Sequence, residues 1–217
     1  VRVVLDSVRK GSDTLLRPWI GARFQAVTAE IAESLGLARP QGALVAQLSK
    51  DGPAANSGMR VGDIILTIDG KPVPHVDALG YRLATAGIGR TVRMTVLSKN
   101  RRIEFEMALV EPPEIIPRDI RRIAGRSPFT GATVANLSPR LAQEYELDGN
   151  KTGVVILSID RRSSAARFGF RAKDIIVSVN DESVEDTKML DTIARSRPNG
   201  WRYVVERDGK RYQQYVR

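Results

Sequence analysis

Gly52-Pro-Ala-Ala-Asn-Ser-Gly58-Met-Arg-Val-Gly62-Asp63-Ile-Ile-Leu-Thr-Ile-Asp69-Gly70-Lys-Pro-Val73 is the stretch on which the fold turns. Ala54 and Ala55 start a tight helical turn, and Gly58 supplies the left-handed residue that ends it. Gly62-Asp63 makes the next turn, residues 64–68 are a continuous apolar run of strand length, and Asp69-Gly70 forms a hairpin-like turn behind it. These residues build scaffold; as a group they offer nothing to a ligand.

Outward from this stretch, the chain repeats itself at a spacing of 110 to 111 residues. The stretch returns as Ser163-Ser-Ala-Ala-Arg-Phe-Gly169-Phe-Arg-Ala-Lys173-Asp174-Ile-Ile-Val-Ser-Val-Asn180. Upstream, Gly21-Ala22 returns as Gly131-Ala132 and Gly42-Ala-Leu-Val45 as Gly153-Val-Val-Ile156; downstream, Val73 returns as Val184. Residues 111–128, Glu111-Pro-Pro-Glu-Ile-Ile-Pro117 and a basic stretch to Pro128, interrupt the repeat and have the prolines and charge of a linker. The expected organisation is a connector over 1–16, a first unit over 17–110, the linker, and a second unit over 129–217.

Within the first unit, apolar runs at 22–27, 43–48, 64–68, 92–97 and 103–109 read as strands. Thr28 caps a short helix reaching Leu35, and its counterpart is Ser138-Pro139, cap then proline, leading to Leu147. A second helix is expected over 76–86 and again over about 184–196. Residues 1–10 read as a short amphipathic helix with Val1, Val4, Leu5 and Val8 on one face. The fold class is mostly β with short helices, α+β, as two partly open barrels or sandwiches.

Composition narrows the function classes. The 217 residues exceed a usual single domain of about 100 to 150. No apolar run approaches the roughly 18 residues that span a bilayer. Cysteine is absent, which removes disulfides and thiolate metal sites. The net charge of +9 is spread along the chain, with 15 basic against 10 acidic residues in 1–110 and 19 against 15 in 111–217, so a solvated basic surface is expected rather than a nucleic-acid patch. The chain begins at Val1 with neither Met nor a signal region, and reads as a piece cut from a longer protein.

The two strings resemble the signature of PDZ domains, and because the presumed ligand strand precedes it, they resemble the permuted PDZ domains of bacterial proteases. The order Arg17-Pro-Trp-Ile-Gly-Ala22, Thr28-Ala-Glu-Ile-Ala-Glu-Ser-Leu-Gly36, Gly42-Ala-Leu-Val45 looks like the first PDZ of HtrA/Deg serine proteases, and Gly131-Ala-Thr-Val-Ala-Asn-Leu137-Ser-Pro like their second. The resemblance covers residues 17–217. It implies that loop amides of an x-Φ-G-Φ segment receive a peptide carboxylate and that the peptide adds as a strand to the sheet edge. On this chain the loop is Trp19-Ile20-Gly21-Ala22, continued by Arg23 and Phe24, with Val76, Gly80 and Leu83 as the facing helix wall. Gly21 frees the backbone to turn its donors inward. In the second unit the candidates are Thr130, Gly131, Ala132, Thr133 and Val134 behind Phe129; polar Thr130 stands where an apolar residue is expected, which makes oligomer contacts an alternative role.

The resemblance further implies a parent serine endopeptidase of the periplasm, trimer-based, whose upstream protease domain lies outside this chain and whose PDZ region recruits unfolded or C-terminal apolar peptide segments in envelope protein quality control. A stand-alone scaffold, and a pair acting mainly in oligomer assembly, are the alternatives. The chain itself is not expected to be an enzyme: its one histidine, His75, lies between Pro74 and the second helix and reads as a cap or surface residue, no Gly-x-Ser-x-Gly elbow occurs, and acidic residues are scattered. No cofactor, metal or nucleic acid is expected.

Overall fold

A computed structural model describes residues 16–149, 151–196 and 198–216. It divides into two compact units, Val1–Pro112 and Pro113–Arg217. The connector helix expected over 1–16 falls, but for Leu16, outside the described residues.

The first unit runs β1 (Ala22–Ala26), α1 (Ala29–Ser34), β2 (Ala43–Leu48), α2 (Pro53–Asn56), β3 (Ile64–Ile68), β4 (Lys71–Pro72), α3 (Val76–Ala86), β5 (Thr91–Ser98) and β6 (Arg101–Ala108). Its sheet is open and antiparallel, in the order β1-β2-β3-β5-β6, with β4 hairpinned onto β3. Asp69 and Gly70 both have positive φ at that hairpin, as the left-handed turn requires. Helix starts follow local chemistry: the Thr28 hydroxyl accepts from the Ile31 N–H at 3.2 Å, and Nδ1 of His75 accepts from the Ala78 N–H at 3.3 Å. The lone histidine is thus a helix cap.

Both faces of the sheet are covered. Ala43 and Val45 of β2 pack with Ile65, Leu79 and Met94, while Leu44 packs the other way with Ile64, Val27 and Ala32 beside α1. Strand segments buried on both faces carry continuous apolar runs, which is why residues 43–46 and 64–66 show no polar alternation, whereas Gln47 is exposed and Thr67 half-buried.

The second unit runs β7 (Arg121–Arg122), β8 (Ala132–Asn136), α4 (Pro139–Glu144), β9 (Val154–Ile159), α5 (Ser164–Arg167), β10 (Ile175–Val179), β11 (Glu182–Ser183), α6 (Thr187–Arg195), β12 (Trp201–Arg207) and β13 (Lys210–Val216). The sheet order is β13-β12-β10-β9-β8-β7, with β11 on β10. The pairing of β8 with β9 copies that of β1 with β2 residue for residue, including the irregularity after Thr133 that matches the one after Arg23. Its core is more aromatic: Phe129 meets Phe170, Trp201 and Tyr203 at centroid distances of 5.3, 6.1 and 5.5 Å.

The stretch read as a linker over 111–128 differs from that reading. From Pro113 onward it belongs to the second unit: Arg121 and Arg122 pair with Val134 and Thr133, and Ile123 is fully buried. The prolines at 112, 113 and 117 signal a spacer, but they stop before residue 118, and the extended chain behind them has donors and acceptors that a sheet edge satisfies.

Asp63 and Asp174 occupy one position of the repeat and hold the turn before β3 and β10, accepting from the N–H of Arg60 and of Arg171 at 2.8 Å each. Among the described residues only the second is also paired with a guanidinium: Arg207 gives it two bonds of 2.6 and 2.7 Å, and the Asp174 side chain is fully buried. Removing one partner of such a pair strands the other, at a cost of about 3–5 kcal/mol. Arg207→Ala is therefore expected to cost more stability than Asp63→Ala, which removes hydrogen bonds worth about 1 kcal/mol each. Urea unfolding of the two variants checks this, and equal midpoint shifts would show that the ion pair holds nothing.

Candidate functional site

The site begins with two carbonyl groups. In the first unit the Ile20 oxygen accepts from the Ala54 N–H at 2.9 Å and the Gly21 oxygen from the Ser49 N–H at 2.8 Å. With its oxygens spent on the turn around α2, the loop must present its N–H groups on the opposite side. Gly21 has φ +69°, and a Cβ there would sit 3.0 Å from the Gly52 Cα and 3.1 Å from the Trp19 ring, so the glycine is required by conformation and by packing. Among the described residues its N–H has no acceptor. Trp19 anchors the start of the loop through a two-way backbone pairing with Val110.

Beyond the loop, β1 is the edge of the sheet, with no further strand beside it among the described residues. Ala22, Phe24 and Val76 are half-buried and pack on the same cluster as Ile20 and Leu83, which are 3% and 8% exposed and form its floor; Arg23 points to solvent. Gly80 is exposed, and a Cβ added to it meets no atom within 4 Å, so the helix face opposite β1 has open space at that step. The structure thus brings the expected residues together around one edge. Ala86, one turn past Leu83 on α3, joins them; the three-residue step along the helix was the signal for it.

The same loop recurs in the second unit, with Thr130 O accepting from Ala165 N–H at 3.1 Å and Gly131 O from Asp160 N–H at 2.9 Å. A Cβ on Gly131 would fall 2.2 Å from that of Ser163. Here, however, the edge is taken. The Gly131 N–H donates to the Ile123 oxygen at 2.9 Å, the Ile123 N–H to the Ala132 oxygen at 2.8 Å, and the Asn136 N–H to the Arg118 oxygen at 2.8 Å. Thr130, Gly131, Ala132, Thr133 and Val134 therefore lie beneath or beside the chain's own strand β7. The polar Thr130 has a role in this: its hydroxyl donates to the Gly125 oxygen and accepts from the Ser127 N–H, closing the loop that returns from β7 to β8. Sequence reading missed residues 118–123 because proline-rich basic chain is usually spacer; Ile120 and Ile123 were its apolar cues, and of these Ile123 is the buried one.

Charge fixes this segment in place. Arg118 is bonded to both Glu114 and Glu144, the latter at 2.7 and 2.8 Å, which raises its already high pKa. Burial pushes the Glu114 carboxyl up, but bonds from Arg118 and Ser138 and the nearby Arg140 outweigh it and leave the group below its ordinary value. The Asp119 carboxyl is likewise lowered, by its bond from Arg121, then that from the Thr187 hydroxyl, with Lys188 nearby. Both acids are held ionised in the folded chain, so their contribution is complete above the ordinary carboxylate range, near pH 4, and is lost as pH falls through the lowered values. Amide exchange at Ile123 and Asn136, corrected for intrinsic rates, is expected to lose protection at pH 3 relative to pH 5 by more than that at Val155, and to be flat from pH 5 to 8. Parallel losses at all three amides would mean that these acids do not fasten the segment.

PDZ-domain family profiles match residues 18–109 and 155–200. A probable periplasmic serine endoprotease, DegP-like, from Halomonas elongata is 31% identical over 196 residues, 90% of this chain and 40% of that protein. One of the same description from Brucella suis is 34% identical over 184 residues, 85% of this chain and 35% of that protein. The chain thus spans 35–40% of the length of these curated relatives. A solved HtrA-type protease, AlgW with a decapeptide, superposes with a TM-score of 0.45 at 31% identity, over 52% of this chain and 34% of that one. The chain carries two PDZ domains, one in each unit, and over them it is related to DegP-like serine endoproteases.

Proposed function

We propose that this chain is the peptide-binding, substrate-recruiting region of an HtrA-like periplasmic serine endopeptidase that works in envelope protein quality control, and that the first unit captures apolar or C-terminal segments of unfolded proteins as an added strand along β1. The observation that carries this reading is the contrast between two equal edges: β8 is paired on its outer side by β7, while the outer side of β1 has no strand partner among the described residues. The loop above it supplies the unpaired Gly21 N–H, and the helix face opposite supplies an apolar wall of Val76 and Leu83 with a gap at Gly80. Cleavage of the recruited segment is assigned to a protease domain outside these residues.

The gap at Gly80 and the small Ala22 favour a bulky terminal residue, because each further buried methylene contributes about 0.8 kcal/mol. Calorimetric titration of the chain with a Phe-terminated peptide is expected to give measurable affinity that falls about ten- to a hundredfold on amidation of the terminus, since charge-assisted bonds are worth roughly 1.5–3 kcal/mol. Gly80→Leu, which fills the gap at an exposed helical position, is expected to weaken the free-acid peptide by at least about tenfold without loss of fold. Equal affinity of acid and amide would replace terminal capture by internal-segment binding; no effect of Gly80→Leu would place the ligand elsewhere.

A further inference from the structure

Residues 118–123 lie along β8, on the side that α6 faces. By the repeat, Val76, Gly80 and Leu83 of α3 correspond to Thr187, Asp191 and Ala194 of α6. Thr187 bonds the segment, Ala194 packs in one core with its Ile123 and lies beside Gly125 just past it, and Asp191 acts on it through charge. The Thr187 hydroxyl donates to the Asp119 carboxylate at 2.8 Å, the charges of Asp191 and Asp186 act on Arg121, and a Cβ on Gly125 would lie 3.2 Å from the Ala194 oxygen. Ile123 is buried with Leu190 and Ala194 in the core below the loop.

From Arg121 to Ile123 the side chains alternate as an added strand demands, and Asp119 precedes them in a left-handed turn with φ +41°. Asp119, Arg121 and Ile123 have their partners in the groove, while Ile120 and Arg122 are exposed, Arg122 reaching out to Asp160. The Ile123 oxygen takes the Gly131 N–H, the bond that a terminal carboxylate takes in strand addition. The chain then continues instead of ending, and Gly125, with φ +101° and no Cβ, lets it pass between the loop and α6. Asn136 completes the clamp: its amide donates to the Pro117 oxygen at 2.8 Å while its own oxygen accepts from the Thr187 N–H at 2.8 Å. At the corresponding places the first unit has Ala26 and Val76, which can make neither bond.

The structure assigns to the second unit a ligand site already filled in cis: residues 118–123 are its tethered ligand, and the groove selects an internal segment with an acid in a left-handed turn, then an arginine and an aliphatic residue at alternate positions of a short strand, followed two residues later by glycine. This extends strand addition to the second unit, and its test is read at β8, independently of the first groove. A tether this short holds its ligand at an effective concentration on the order of millimolar, so free peptide in the micromolar range does not displace it.

The experiment uses the whole 217-residue chain and a peptide with the sequence of residues 117–125, followed by amide shifts at Gly131 for the second groove and Gly21 for the first. In the unaltered chain, Gly131 is expected not to respond to micromolar peptide. In Asp119→Ala/Arg121→Ala, which leaves the buried Ile123 in place, the Gly131 amide is expected to lose protection and the peptide to bind at β8 at least about tenfold more tightly; adding Asp191→Arg on the groove side is expected to abolish that gain. A folded double variant that binds no better than the unaltered chain overturns the proposal. Should the variant fail to fold, exchange in the unaltered chain decides: Gly131 and Ile123 amides opening before that of Val155 support a tethered ligand, and opening only together with it makes the segment an integral strand and overturns the proposal.

Discussion

In each unit, two carbonyl oxygens of one loop are consumed by the turn that follows the second long strand, and the remainder of the site is a consequence. Ile20 and Gly21 give their oxygens to Ala54 and Ser49, and Thr130 and Gly131 give theirs to Ala165 and Asp160. A peptide unit whose oxygen faces inward directs its N–H outward, and a backbone donor directed at a sheet edge must find an acceptor or stay wet. The close stacking of loop on turn, 3.0 Å between a Cβ on Gly21 and the Gly52 Cα, permits no other residue there. Scaffold and site are therefore one construction: the stretch from Gly52 to Val73 contacts no ligand, yet it determines which way the loop donors point.

From this shared frame the two units diverge through side chains on three surfaces. On the wall helix, apolar Val76 and absent side chain at Gly80 become Thr187 and Asp191. On the edge strand, Ala26 becomes Asn136, which ties Pro117 to the start of α6. In the loop, Ile20 becomes Thr130, whose hydroxyl bonds inside its own turn rather than enlarging an apolar floor. Each change exchanges apolar surface suited to a passing aliphatic chain for polar atoms that need fixed partners. Buried polar atoms are tolerated only when satisfied, so the second groove is stable in proportion to how completely residues 114–125 satisfy it.

The sequence made the frame legible because the frame rests on glycine, turn and apolar-run signals that act over a few residues. Strand β2, strand β3 and helix α3 have the limits that the apolar pattern and Val76-to-Ala86 spacing predict, and Thr28 and Ser138 cap the helices they precede. What escaped was β7. Its pairing depends on a partner edge that lies ten or more residues away and on bonds from Asn136 and Thr187 that no local rule foresees. β7 is short because Asp119, with φ +41°, leaves extended backbone just before it. Thr130 was noticed as an anomaly; its cause lay in the oxygen of Gly125, across a loop with no sequence signature of its own.

The asymmetry between the grooves bears on how one chain divides its work. An edge strand left open invites pairing with any extended chain, and proteins usually blunt such edges. Here the second unit blunts its edge with its own backbone, secured by Arg118 between Glu114 and Glu144 and by Asp119 between Arg121 and Thr187. The first unit carries the complementary arrangement, apolar and strand-free along β1 among the described residues, with a charged residue, Arg23, facing outward to discourage edge-to-edge association. A single repeat thereby yields one edge without a strand partner among the described residues and one that holds a neighbour in sequence. The difference requires no change in the backbone register of either sheet edge.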